Sequence, residues 1–233
     1  MSKKVVVLTN SIIIVMLSIL CYFSINISST YVYNYSNPKA LYFGNKNSNK
    51  VSFMVNVYWG NEYIEGMLEV FKEYDVKTTF FVGGSWAVKN PELLTKIYND
   101  GHEIGNHGYF HKDQDKLSYD GNYEEIKVTH DTIKELIGVE MNLFAPPSGA
   151  FNDSTIQASS DLGYQMIMWS KDTIDWRDKD ADLIYARATD VGGGSLVLAH
   201  PTEKTLEALP EILEYYKSNN FIACTVSENL SAK

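Results

Sequence analysis

His107-Gly108-Tyr109-Phe110-His111 sets two imidazoles four residues apart, a spacing that lets both reach one metal ion. Neutral imidazole is a donor suited to zinc and to several other divalent ions. Two surface or capping histidines would give the same pattern. The ligand reading is favoured by their position just past a strand-like segment, in Gly105-Asn106-His107. A third histidine, His200, ends the apolar run Leu196-Val197-Leu198-Ala199 and precedes Pro201. It reads either as a satisfied histidine at the end of a buried strand or as a general acid oriented by a carboxylate such as Asp175. Asp172 and Asp175, the latter just before Trp176, are candidate partners or else turn residues and caps. His102 and His130 fall outside these clusters and read as structural or solvated.

Side chains so far apart in sequence need a scaffold that gathers them on one rim. From residue 51 onward, apolar runs of strand length alternate with amphipathic stretches of helix length. The spacing predicts strands at 51–57, 78–82, 103–104, 142–145, 165–169, 195–199 and 221–225. Helices are predicted at 62–74, 92–99, 123–137, 153–162, 180–191 and 202–218, with Pro91 opening the second and Pro210 inside the last. Such alternation implies a parallel sheet with crossover helices, open or closed as a barrel, and about seven strands favour a small or incomplete barrel. Reactive groups in such folds gather on loops at the C-terminal ends of the strands. His107 and His111, Pro146-Pro147-Ser148, Asp172-Asp175-Trp176 and His200 all occupy that kind of position. Four clusters on one predicted rim, holding three of the five histidines in the chain, read as a site.

The 233 residues allow one domain with a short appendage. A formal charge of −9 and the lack of any basic run exclude nucleic acid as a partner. Lys3 and Lys4 precede an almost uncharged run at 5–27, and roughly 20 apolar residues suffice to span a bilayer. That run reads as a signal-anchor helix, against the alternatives of a cleaved signal peptide or a buried core helix. No A-x-A cleavage site follows, and Leu20 before Cys21 does not fit a lipoprotein box. Positive residues at its N-terminal side place the rest of the chain outside the cytoplasm, on a single-pass protein of the cell membrane. The expected organisation is an anchor at 1–27, a Ser-, Asn- and Tyr-rich spacer at 28–49 and a domain at 50–230. Cys21 and Cys224 are not expected to pair, Cys224 reading as a small buried residue, and a monomer is expected.

Four motifs in order resemble the NodB-homology polysaccharide deacetylases, carbohydrate esterase family 4. They are His107-x3-His111, Ala145-Pro146-Pro147-Ser148-Gly149, Asp172-Thr173-Ile174-Asp175-Trp176 and Leu198-Ala199-His200. Trp59-Gly60 and Gly83-Gly84-Ser85-Trp86 further resemble the sporulation-associated branch. The resemblance implies a distorted (β/α) barrel and a divalent-metal hydrolase, with zinc the expected ion. Such an enzyme removes N-acetyl groups from amino sugars of a cell-wall glycan such as peptidoglycan. In that family an Asp and two His hold the metal, and a second Asp is the general base. An Arg before the double proline tethers the base, and an Asp-paired His protonates the leaving amine. By resemblance, His107 and His111 match the metal ligands, His200 the acid and Asp175 its partner. Pro147, Trp176, Leu198 and Trp59 match substrate-binding positions, and Tyr58, Tyr109 and Phe110 add aromatics that suit sugar rings.

The first motif departs from the family. Where the family has Thr-Phe-Asp-Asp-Gly, this chain reads Met54-Val55-Asn56-Val57-Tyr58. Asn56 stands at the base position, and an amide cannot accept a proton at neutral pH. Val57 replaces the carboxylate ligand and Ala145 the tethering arginine, a coherent loss, because an arginine without its carboxylate would be a poorly compensated charge. Asp172, Glu62 and Asp113 are candidate substitute carboxylates. Two functions follow: a divergent deacetylase, or a non-catalytic module that binds wall glycan.

Overall fold

The computed structural model describes residues 39–232, together with Val15 and Met16. Apart from Val15 and Met16, the apolar run at 5–27 and the start of the spacer lie outside the described residues. Among the described residues no helix is long and apolar enough to cross a membrane.

Residues 50–230 form strands and helices in near-strict alternation: β1 (Lys50–Val57), α1 (Asn61–Glu73), β2 (Thr79–Val82), α2 (Gly84–Lys89), α3 (Pro91–Asn99), β3 (Glu103–Asn106), α4 (Tyr119–Ile137), β4 (Leu143–Phe144), α5 (Asp153–Asp161), β5 (Gln165–Met166), β6 (Lys171–Asp172), α6 (Ala181–Thr189), β7 (Ser195–Ala199), α7 (Glu203–Ser218), β8 (Ile222–Ala223) and α8 (Val226–Leu230). All strand pairs are parallel. The order is β5-β4-β3-β2-β1-β7-β6, with β8 beside the start of β1, in a curled half-barrel.

Strand β1 shows how pattern becomes architecture. Its odd residues Val51, Phe53, Val55 and Val57 enter the helix-facing core, where they meet Ile64, Met67, Leu68 and Phe71 of α1. Those four α1 residues recur at the spacing of one helical face, and fully burying each such side chain contributes about 1.5–3 kcal/mol. The even residue Met54 joins Phe81, Leu143, Ala145, Ile167 and Leu196 in a smaller cluster on the other face. Asn56 continues that inner row, and its position at the C-terminal end of β1 is what aims it at the rim.

Helices α2 and α8 are not expected from the sequence, nor is an eighth strand, and three further features differ. Residues 39–49 are joined to the domain: Leu41 N–H bonds the Met166 carbonyl, Met168 N–H bonds Leu41, and Gly44 N–H bonds Gly194. The spacer therefore does not run to residue 49, because this polar stretch satisfies its backbone on the sheet. Regular pairing in β5 stops at Met166 and resumes in β6, a two-residue strand too short and polar to carry a period of two. Helix α4 begins at Tyr119, one turn early, because Ser118 caps it by accepting from Gly121 N–H.

Candidate active site

The strand ends open into a cleft of about 380 Å³. Asn56, His107, His111, Trp176, Leu198, His200 and Trp59 all line it, so the structure gathers most of the residues expected there. Pro147 and Asp175 do not line it: Asp175 is buried behind His200, and Pro147 is buried in a short turn, near the backbone of Gly108. At that point the wall is made instead by Ser148 and Gly149.

His107 follows β3, and its Nδ1–H donates to the Ala145 carbonyl at 2.7 Å, which leaves Nε2 with the free lone pair. Burial, with His111 alongside, pushes its pKa down to about 3, so the ring is neutral. His111 has its pKa lowered by burial as well, and its ring centroid lies 5.0 Å from that of His107. The loop between them is held from outside the motif. Glu125 of α4, a buried carboxylate, accepts through one oxygen, Oε2, from Tyr109 N–H and Phe110 N–H, both at 2.8 Å. Its other oxygen, Oε1, pairs with Lys112 at 2.9 Å. Asn106 Oδ1 accepts from Gly108 N–H at 2.9 Å, completing the brace.

On the opposite wall His200 Nδ1–H donates to Asp175 Oδ1 at 2.8 Å, and His200 backbone N–H donates to Asp175 Oδ2 at 2.6 Å. Thr205 Oγ1 adds a third bond to Oδ2 at 2.6 Å. Asp175 is thus buried and fully engaged, fixing the imidazole with its Nε2 side free. Trp59 stacks on that ring at 5.7 Å between centroids and 9° between planes. Gly60, at φ 78, lets the chain turn there, since a Cβ would fall 2.0 Å from the Pro201 carbonyl oxygen. Arg187 steadies the Asp172–Trp176 loop by donating to the Thr173 carbonyl and to Asp178.

Backbone strain concentrates on this rim. His111, Ser148 and Ile174 have φ of 54, 57 and 56, and for β-branched Ile174 that is a genuine outlier.

The base half is different in kind. Asn56 is nearly buried and its Oδ1 has no hydrogen-bond partner. Val57 does not face the cleft at all but is fully buried in the helix-facing core. Ala145 packs in the inner cluster. Among the candidate substitutes only Asp172 lines the cleft, with Oδ1 accepting from Ile174 N–H at 2.8 Å. Glu62 lines a neighbouring groove, and Asp113 is paired with Lys116 at the surface. His102 sits between Phe71 and Phe80, its Nδ1 accepting from Thr78 N–H, and His130 bonds Tyr164 and Glu140. Both are structural, as expected.

The residues present fit a divalent ion only in part. Two neutral imidazoles are sound donors, but no group of three His, Cys, Asp or Glu that could hold an ion occurs among the described residues. Catalytic zinc normally has three protein ligands.

Residues 44–167 match the Polysaccharide deacetylase family. The chain belongs to that family. It is 38% identical over 192 residues to the uncharacterized protein YlxY of Bacillus subtilis, a match covering 82% of this chain and 60% of that protein. It is 34% identical to the peptidoglycan-N-acetylglucosamine deacetylase PgdA of Listeria monocytogenes over 70% of this chain and 35% of that enzyme. The chain therefore spans well under the full length of these relatives. Its fold matches that of a CE4 family pseudoenzyme from Bacillus anthracis with a TM-score of 0.82 at 35% identity, covering 84% of this chain and 70% of that one. A mutant of that pseudoenzyme, described as having restored enzymatic activity, matches with the same TM-score at 33% identity, over 84% of this chain and 72% of that one.

Glu125, Thr205 and Arg187 had no signal in the sequence. Each acts through one or two hydrogen bonds to a segment that the fold, not the local pattern, brings alongside.

Proposed function

We propose that this chain is a deacetylase-type module of the cell wall, tethered to the membrane through residues 5–27 and facing outward, in which glycan binding is retained and hydrolysis of N-acetyl groups is weak. The reading rests on Asn56, an amide with a buried, unpartnered acceptor, which the family resemblance aligns with the general base. An amide there cannot take a proton from an attacking water, and a positioned base contributes about 10²- to 10⁴-fold.

A divergent metal-dependent deacetylase is the second reading, favoured by the intact Asp175–His200 pair. His200, held by Asp175 and Thr205, is oriented to pass a proton to a departing amine. His107 and His111 are the residues that would hold a divalent ion, zinc being the candidate, and such an ion when bound polarises an acetamide carbonyl. The test is acetate release from purified peptidoglycan, with and without added zinc, beside co-sedimentation of the protein with the same wall material. Co-sedimentation with little acetate supports the first reading. Metal-dependent turnover at the rate of an ordinary deacetylase would replace it with the second, and absence of both would sink the two together.

A further inference from the structure

The segment Gly83-Gly84-Ser85-Trp86 takes no part in the cleft, yet the fold locks it to the Trp59-Gly60 turn. Gly83 N–H bonds the Val57 carbonyl at 3.0 Å, and a Cβ on Gly83 would fall 2.4 Å from the Tyr58 ring that packs there. Tyr58 Oη and Ser85 Oγ share a hydrogen bond at 2.8 Å. Side-chain bonds run outward from that point. Trp86 Nε1–H donates to Asn61 Oδ1 at 2.6 Å, Asn61 Nδ2–H to Asn90 Oδ1 at 2.7 Å, and Asn90 Nδ2–H to the Trp86 carbonyl at 2.8 Å. These groups floor a groove of about 300 Å³ outside the cleft. Tyr58 and Trp59 line both, so cleft and groove adjoin across that pair. Trp59 stacks one face on His200 but is still 43% exposed, a surface over which a chain can pass from one to the other. Asn61, Lys89 and Asn90 carry the groove on into a hollow of about 610 Å³.

The lining says what would lie there. Each amide in this run of bonds keeps one N–H and one acceptor lone pair in reserve. Such pairs suit hydroxyls, which donate and accept at once, and the indole and phenol rings beside them suit the apolar faces of a sugar. Charge points the same way. Lys89 faces one carboxylate, Glu62, in the groove, and the hollow beyond sets Lys89 and Lys96 against Glu65 and Glu92. A balance of this kind gives no advantage to a polyanion. A polymer with one ring in the cleft must carry its neighbours out across the rim, and here the rim is already shaped and hydrogen-bonded.

We propose that this groove is a second carbohydrate subsite, holding the rings next along a glycan strand from the one in the cleft, with Asn61 and Asn90 bonding their hydroxyls. The proposal rests on the glycan reading above. It makes the protein a reader of a strand rather than of a single amino sugar, because a ring tethered to one already bound enters the groove at high effective concentration.

The test titrates the full chain calorimetrically with the disaccharide and the hexasaccharide of N-acetylglucosamine, a chelator being present so that no acetyl group is lost. The hexasaccharide should bind about 10-fold tighter or more, the scale of two ordinary hydrogen bonds. Asn61→Ala combined with Asn90→Ala should bring that ratio to within about threefold. Those changes also free the Trp86 indole, so hydrogen exchange on the unaltered chain supplies a second measurement. The hexasaccharide, and not the disaccharide, should slow the amides between Ser85 and Leu93. Equal affinity for the two lengths would overturn the proposal while leaving the glycan reading in place. A length advantage that survives the double variant, or that slows none of those amides, would overturn it as well, as would displacement of the hexasaccharide from the groove by a glycerol-phosphate polymer. Binding of neither oligomer would remove both the proposal and the glycan reading.

Discussion

Glu125 offers the sharpest contrast between two substitutions at one position. The Tyr109 and Phe110 N–H groups of the histidine loop go to its Oε2, while Lys112 goes to Oε1. Glu125→Gln keeps an oxygen where Oε2 lies and loses only the pair with Lys112, whose side chain is 51% exposed and can turn to solvent. Such a pair is worth about 0–1 kcal/mol. Glu125→Ala removes the acceptor altogether, and each unsatisfied, partly buried N–H then costs about 1–3 kcal/mol, giving a total of about 2–6 kcal/mol. At about 2–4 °C per kcal/mol for a domain of this size, Ala should lower Tm by about 4–24 °C and Gln by about 4 °C at most. The assay is thermal unfolding followed by circular dichroism, with amide hydrogen exchange at Tyr109 and Phe110 as the local readout. Those two amides should exchange much faster in the Ala variant and near the native rate in the Gln variant. If Ala and Gln melt within a degree or two of each other, the brace described here is not what holds His111.

Four further outcomes are expected. Val57→Asp should destabilise the fold by about 3 kcal/mol or more, because it places an unpaired charge in the helix-facing core; a Tm within 2 °C of the parent, measured by calorimetry, would contradict that placement. Asn56→Asp combined with Ala145→Arg should raise acetate release by more than the product of the single changes, and adding Asp175→Asn should cancel the gain, since protonation of the leaving amine is still needed; simple multiplicative behaviour would argue against a coupled base and tether. Zinc affinity, read by competition with a chromophoric chelator, should fall about 10-fold or more in His107→Ala and His111→Ala but not in His130→Ala; an equal fall in all three would point to a different site. Burial holds His102 near a pKa of about 4 against the usual 6.5, so protonation favours the unfolded chain, and stability present above 6.5 is lost as pH falls from 6.5 toward 4. His107 adds a loss of the same sign. His102→Gln should show a smaller drop in urea midpoint between pH 7 and about pH 5 than the parent; an equal drop would show that His102 does not carry this sensitivity.

The sequence by itself determined most of the succession of strands and helices, the short α2 and α8 excepted, because period and capping act within a window of a few residues. Placing His107, His111, Asp175 and His200 just past strand-like runs was enough to put them on one rim, since parallel strands all end on the same side. The identities of Asn56, Val57 and Ala145 pointed to loss of the base half, but Val57 faces the helix core and not the cleft, so it does not occupy the place of a metal ligand. Only the tertiary structure decided which way those residues face. Val57 turns to the helices and Asn56 to the cleft because the row of β1 alternates, and the register against β2 and β7 fixes that row. Only the fold, too, showed that Asp172 is the carboxylate of the cleft, that Pro147 lies under its wall and that residues 39–49 belong to the sheet. Glu125 meets its loop across 16 residues and Thr205 meets Asp175 across 30. Contacts of that separation depend on strand order and helix packing, which no local pattern of side chains encodes.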